Sequence, residues 1–296
     1  MNNTNELNNT TISKWLSHIK KVDNLSDQTV SSYTNNIKQF NQFISQNNLT
    51  LTSMKTSDIY SYIESLSEKQ YAPRTINSHI FAIKSLFKYM VKVELISSDS
   101  SEKVSKTKVN KLTPKSLTLT EAIQLVDVTE DNKRLGIRNK LIANMLLQTG
   151  LRANELTNIK TSDIVNGKLL VMGKGSKERY IDIHPSLIEE ISEYNNFKAT
   201  KGYVSEYLFI SERTSEQISK RQVQTIVTSL MGEIGRSELS THSTRKTFVS
   251  LNQQNGTDIA TLKELCGHAN IQTTMGYLNV SEETKKKAIY NNPMIR

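Results

Sequence analysis

"KLLVMGKGSKERYIDI", Lys168–Ile183, is the stretch that differs from everything around it. Two β-like arms flank Gly173-Lys174-Gly175-Ser176-Lys177, so it reads as a hairpin with a basic tip. The neighbouring segments carry helical signals. Upstream, "GIRNKLIANMLLQTG" (136–150) is an apolar helix stopped by Gly150. "LRANELTNIK" (151–160) is a short helix straight after that turn. Thr118 with Glu121 makes a capping box ahead of "AIQLV". Downstream, 186–197, 219–235 and 243–256 read as helices, and 258–280 as helix, turn, helix. One hairpin among helices sets the fold class: mainly α with a small β-hairpin or sheet.

Further toward the amino terminus the pattern is helical throughout. "TISKWLSHIKKV" (11–22) places Ile12, Trp15, Leu16 and Ile19 at helical spacing. A second helix over 26–46 has Ser26 or Asp27 as N-cap and a stripe of Val30, Tyr33, Ile37, Phe40 and Phe43. A third covers 56–68. The fourth, 72–95, has Pro73 in its first turn and buries Ile76, Ile80, Ile83, Phe87 and Met90. Its other face offers Arg74, Asn77, Lys84 and Lys88. Residues 99–116 are Ser- and Lys-rich with no apolar period, so they read as a basic linker. The expected organisation is a helical domain over 1–98, the linker, and a second domain over 117–296.

Composition narrows the function classes. Apolar residues are 36% and charged residues 23%, polar for a folded chain, but the helical periodicity argues against disorder. A net charge of +9 favours polyanionic partners. Cys266 is the only cysteine, which excludes an intrachain disulfide and fits a reducing compartment. The start has no apolar signal segment, and no run reaches the ~18 apolar residues of a membrane span. The expected setting is cytoplasmic, on the nucleoid, with no membrane partner.

Four places can carry chemistry. Arg152 follows the helix-stopping Gly150. Lys174 lies at the hairpin tip. His242 and Arg245 share a helix face at i, i+3. His268 precedes Tyr277 by nine positions in "GHANIQTTMGY". Singly, each has an ordinary structural explanation: Arg152 can neutralise a carboxylate such as Glu155, and Tyr277 can be a half-buried ring. "CGH" at 266–268 supplies two ligands only, so a metal site is not expected.

Together they form a set. A tyrosine hydroxyl, with pKa near 10, is a poor nucleophile at neutral pH. Two arginine forks can stabilise the charge on a phosphorane, a lysine can protonate a leaving 5′-oxygen, and histidines can bond non-bridging oxygens or move the tyrosine proton. No metal or other cofactor is needed.

The chain resembles the tyrosine recombinase, or phage-type integrase, family. "TGLRANEL" matches that family's first-arginine segment and gives Arg152. "GKGSKER" matches the lysine segment and gives Lys174, with Lys177 as a second candidate. "HSTR" gives His242 and Arg245, "LCGH" gives His268, and the terminal nucleophile is Tyr277. The departures are Cys266 and "TTMGYLNV", and neither alters a catalytic group.

The resemblance implies an amino-terminal SAM-like four-helix core-binding domain and a catalytic domain that together clamp DNA. It implies attack by Tyr277, a 3′-phosphotyrosyl link, a free 5′-hydroxyl and a Holliday junction within a homotetramer, one dimer per site. The expected partner is double-stranded DNA with an inverted-repeat core site, with a second recombinase or accessory protein also allowed. DNA contacts are expected from Lys220, Arg221 and Gln222 and from Arg74, Asn77 and Lys84. The linker lysines, Lys103 to Lys115, would cross the backbone. Gly276 would let the Tyr277 segment move, and the tail would either dock on a neighbouring subunit through Ala288, Ile289 and Met294 or stand in solvent. Two rival readings share the chemistry or the fold: a type IB topoisomerase-like enzyme and a non-catalytic DNA-binding regulator. The resemblance leaves open resolution of dimers or cointegrates against integration or excision of a mobile element.

Overall fold

The computed structural model describes residues 2–109, 116–129, 136–173 and 178–267, with side chains from Glu6 onward. The chain divides into two compact units, Met1–Leu112 and Thr113–Arg296.

The first unit holds α1 (Asn2–Lys21), α2 (Asp27–Gln46), α3 (Thr56–Glu68) and α4 (Pro73–Lys92). Ser26 caps α2, its Oγ accepting from the Thr29 amide at 3.3 Å. Pro73 sits in the first turn of α4, where a missing N–H leaves no bond unmade. The expected apolar stripes meet in one core, with Trp15, Ile37, Phe40, Ile59, Ile80 and Phe87 buried. α1 starts at Asn2 rather than near Thr11. The added turns are polar, and Asn8 docks by accepting from the Leu51 amide at 3.2 Å. A helix held by a buried amide side chain carries no apolar signal at that point.

The segment read as a linker is docked on this unit over much of its length. Val104 is buried in the helical core. Thr56 Oγ1 donates to Ser100 O at 2.8 Å, and Ser100 Oγ to Met54 O at 2.7 Å. Asn77 grips Thr107 twice, its Nδ2 donating to the carbonyl at 2.9 Å and its Oδ1 accepting from the amide at 2.8 Å. Mostly backbone groups make this contact, so composition does not announce it. Of the linker lysines, Lys111 and Lys115 lie outside the described residues.

The second unit holds α5 (Leu119–Asp127), α6 (Gly136–Thr149), α7 (Ala153–Thr157), a 3-10 turn (Thr161–Asp163), β1 (Ile164–Val165), β2 (Lys168–Met172), β3 (Glu178–Asp182), α8 (Pro185–Thr200), α9 (Lys220–Glu233), α10 (Thr241–Gln254) and α11 (Ile259–Cys266). α6 buries Leu141, Ile142, Ala143, Met145 and Leu146. Consecutive positions face inward, so it is a central helix, packed by α5, α8 and α10.

The sheet is antiparallel in the order β1-β2-β3. The expected hairpin is β2–β3, with Val171 opposite Arg179 and Met172 opposite Glu178. Its tip, 174–177, lies outside the described residues. β1 was not expected from the sequence, because two residues are too few for a period. Its turn signal is Asn166-Gly167, both at positive φ (51° and 74°).

Candidate active site

The α6 helix ends where Gly150 turns left-handed, at φ +62°. That turn delivers Leu151 to the core and sets Arg152 as the N-cap of α7. Glu155, three residues on, closes the cap. Its Oε2 accepts from the Arg152 amide at 2.9 Å, and its Oε1 accepts from Arg152 Nη1 at 2.7 Å.

The same carboxylate gathers two more guanidinium groups from distant parts of the chain. Arg179, near the start of β3, donates from Nη2 to Oε2 at 2.9 Å and from Nη1 to Oε1 at 3.3 Å. Arg245, on α10, has Nη1 at 3.8 Å from Oε2. Arg245 Nη1 also donates to Gly150 O at 2.6 Å, and Nη2 donates to Cys266 O. Its Nε is buried without a hydrogen-bond partner.

Exposure separates their roles. The side chains of Glu155, Arg179 and Arg245 are 6%, 12% and 1% exposed, whereas Arg152 is 40% exposed. Arg152 is therefore the arginine of this cluster that most faces an incoming ligand. Burial alone would raise the Glu155 carboxyl. The Arg179 bonds, the Arg152 amide bond and the two positive charges outweigh burial and hold it below its usual range.

His242 stands one turn before Arg245 on α10. Loss of bulk water, then the charges of Lys246, Arg245 and Arg152, push its imidazole below the ordinary value. The ring keeps an exposed edge, and the three cations push in the same direction as the loss of water. At neutral pH it is neutral, able to accept one hydrogen bond and donate another.

α11 ends at Gly267, left-handed at φ +60°. Its last carbonyls are held by the cluster: Arg179 Nε donates to Leu265 O at 3.0 Å, and Arg245 takes Cys266 O. Burial raises the Cys266 thiol, so it is not a thiolate at neutral pH.

Arg152 and Arg245 are thus gathered on one carboxylate, with His242 one turn before Arg245 on α10. Lys174, its alternative Lys177, His268, Gly276 and Tyr277 lie outside the described residues, as do Ala288, Ile289 and Met294. Sequence reasoning did not name Arg179 as a site residue and gave Glu155 only as a neutralising partner. Both stand inside the motifs it quoted, "GKGSKER" and "TGLRANEL".

The expected DNA contacts divide. Arg74 is exposed in the first turn of α4, and Arg221 is exposed in that of α9, beside half-buried Lys220. Asn77 is engaged by Thr107, and Lys84 Nζ donates to Glu102 O at 3.0 Å. Gln222 is used in the α9 cap, its Oε1 accepting from the Ser219 amide at 2.9 Å and its Nε2 donating to Ser211 Oγ at 3.2 Å. Among the described residues no group of three His, Cys, Asp or Glu side chains suits a metal ion, and no helix is long and apolar enough to cross a membrane.

Comparison with known proteins bears on this arrangement. The profile of the phage integrase family matches residues 115–284, and that of the phage integrase N-terminal SAM-like domain matches residues 12–94. The tyrosine recombinase XerC of Staphylococcus aureus (strain USA300 / TCH1516) is 28% identical over 282 residues, covering 94% of each chain. The fold is similar to that of the XerH site-specific recombinase bound to a palindromic difH substrate in a post-cleavage complex. There the TM-score is 0.75 at 19% identity, covering 95% of this chain and 84% of that one. A lambda integrase tetramer bound to a Holliday junction gives 0.73 at 17% identity, covering 92% and 77%. With the catalytic-domain profile spanning more than half its length, the chain belongs to the phage integrase family, the tyrosine recombinases that cleave and rejoin DNA.

Proposed function

We propose that this chain is a site-specific DNA recombinase acting through Tyr277. The observation that carries the reading is the convergence of Arg152, from the α6–α7 turn, and Arg245, from α10, on the Glu155 carboxylate, with His242 one turn away. Such a cationic cradle suits a phosphodiester whose negative charge grows as a nucleophile adds.

In this scheme Arg152 and Arg245 hold the non-bridging oxygens, Arg245 exchanging a carbonyl contact for phosphate. His242 and His268 bond the same oxygens or take the tyrosine proton. The Tyr277 oxygen forms a bond to phosphorus as the bond to the 5′-oxygen breaks. Lys174, or in its place Lys177, gives that oxygen a proton. The product is a 3′-phosphotyrosyl link and a 5′-hydroxyl. The reverse attack by another strand's 5′-hydroxyl restores the tyrosine, so the bond's energy is conserved without ATP.

The partner is double-stranded DNA with an inverted-repeat core site, bound by two copies per site and four per Holliday junction. Net charge +9, with Arg74, Lys220 and Arg221 at helix starts, supports that partner. The role is resolution of dimers or cointegrates, or integration and excision of a mobile element, in the cytoplasm on the nucleoid. The domain limits 1–98 and 117–296, joined by 99–116, serve this scheme.

The test is covalent trapping. Nicked duplexes cut from DNA flanking the coding region are incubated with protein in the absence of metal. An SDS-resistant adduct with wild type that is lost in Tyr277→Phe is the expected result. Specific binding with no adduct would instead favour the regulator reading.

A further inference from the structure

We propose that Arg179 is a positioning residue for the cleavage step, fixing the Arg152 fork through the Glu155 carboxylate. The inference rests on the recombinase reading above. It does not assign Arg179 to the phosphate itself: all three of its nitrogens already donate to protein acceptors, whereas Arg245 keeps its Nε without one.

Three observations point this way. First, Arg179 uses both terminal nitrogens on Glu155, at 2.9 and 3.3 Å, while Arg152 reaches only one oxygen through its side chain. A two-point contact fixes the plane of the carboxylate, and a one-point contact follows it. Arg152 is the more exposed partner, so its direction is set by where Glu155 stands.

Second, the remaining donor, Nε, bonds Leu265 O at 3.0 Å near the end of α11. The guanidinium also packs on Gly267, where an added β-carbon would lie 3.0 Å from Nη1. One side chain therefore joins β3, the α7 cap and the α11 exit that leads into His268.

Third, Arg179 stands two residues after Lys177 and opposite Val171 in the hairpin register. A hairpin needs no arginine there for its ladder. A lysine could supply charge at this point but not a planar fork with a third donor at fixed spacing.

The experiment compares wild type, Arg179→Ala and Arg179→Lys in single-turnover cleavage of nicked duplexes. Each is assayed with an ordinary scissile phosphate and with a methylphosphonate, which lacks one negative charge and asks less of the arginines. Binding affinity and thermal midpoint are measured alongside. A misplaced fork is expected to slow cleavage of the phosphodiester about 100-fold with affinity unchanged. The deficit is expected to shrink to under about 10-fold on the methylphosphonate, because less charge needs stabilising. Arg179→Lys should fall between, and it is the variant read if Arg179→Ala does not fold.

Equal deficits on both substrates, or full activity in the folded variant, would overturn the proposal alone. A wild type that binds its site but never forms an adduct would overturn the recombinase reading and this inference with it.

Discussion

The Phe248 ring lies so close to Gly150 that a β-carbon on the glycine would stand 2.5 Å from Cδ1. This contact seats the turn before Arg152 on the helix that carries His242 and Arg245. Gly150 is also left-handed, which side chains rarely tolerate. Gly150→Ala is therefore expected to cost about 2–4 kcal/mol from overpacking and backbone strain together. Urea denaturation measures it. Phe248→Leu in the same chain should recover part of the loss, and no recovery would mean that backbone strain alone is responsible.

Among the described residues Glu155 is the carboxylate that meets three guanidinium groups, and it is 6% exposed. Glu155→Gln keeps the shape and removes the charge. Leaving buried arginines without their counter-ion is expected to destabilise the unit by about 3–5 kcal/mol. Adduct formation should fall even under conditions where the variant remains folded. Circular dichroism with urea and the trapping assay together check both parts.

The same carboxylate has a pH signature. Its folded pKa is held below the ordinary value, so its contribution is fully present above the unfolded pKa near 4.5. It is lost as pH falls from there through the folded pKa. The thermal midpoint of wild type should drop more steeply below pH 4.5 than that of Glu155→Gln. Parallel acid limbs would mean that other carboxylates govern the loss.

What the sequence made legible follows from what kind of force places each part. The helices of the first unit came from apolar stripes, because burial is the force and period reports it. Arg152, His242 and Arg245 were singled out through short motifs around a turn and a helix face. Glu155 and Arg179 were harder to find. A buried carboxylate bonded to distant arginines has no periodic signature, and Arg179 meets Leu265 across 86 positions. The docking of Thr107 on Asn77 was hidden for a related reason: the partner groups are main-chain N–H and C=O, which every residue has.

His79 is expected to give the first unit its own acid sensitivity. It is 1% exposed, its Nδ1 lies 2.9 Å from the Tyr62 hydroxyl, and Nε2 is buried without a hydrogen-bond partner. Burial pushes its pKa down, and an interaction with Asn36 offsets only part of that. A histidine lowered in the folded state contributes fully above its unfolded pKa near 6.5 and loses that contribution as pH falls through the folded one. The His79 ring resonances should titrate below pH 6.5 by NMR, and the unit should weaken over the same interval. A ring that titrates at or above 6.5 would rule this out.

Asn77 was expected to reach DNA, yet both ends of its amide are committed to Thr107. Its removal should free the docked strand. Losing two hydrogen bonds of about 1 kcal/mol each would raise the undocked population roughly 30-fold. Lys106 and Lys108 are exposed already, but the backbone between them is held at Thr107; once undocked it can enter a protease cleft, so trypsin should cut Asn77→Ala faster than wild type at these two residues. Cleavage elsewhere should be unchanged. Sequence preference in DNA binding should also be unchanged, because no base contact is lost. The opposite pair of results, altered preference with unaltered proteolysis, would assign Asn77 to the groove and leave Val104 and Ser100 to hold the strand.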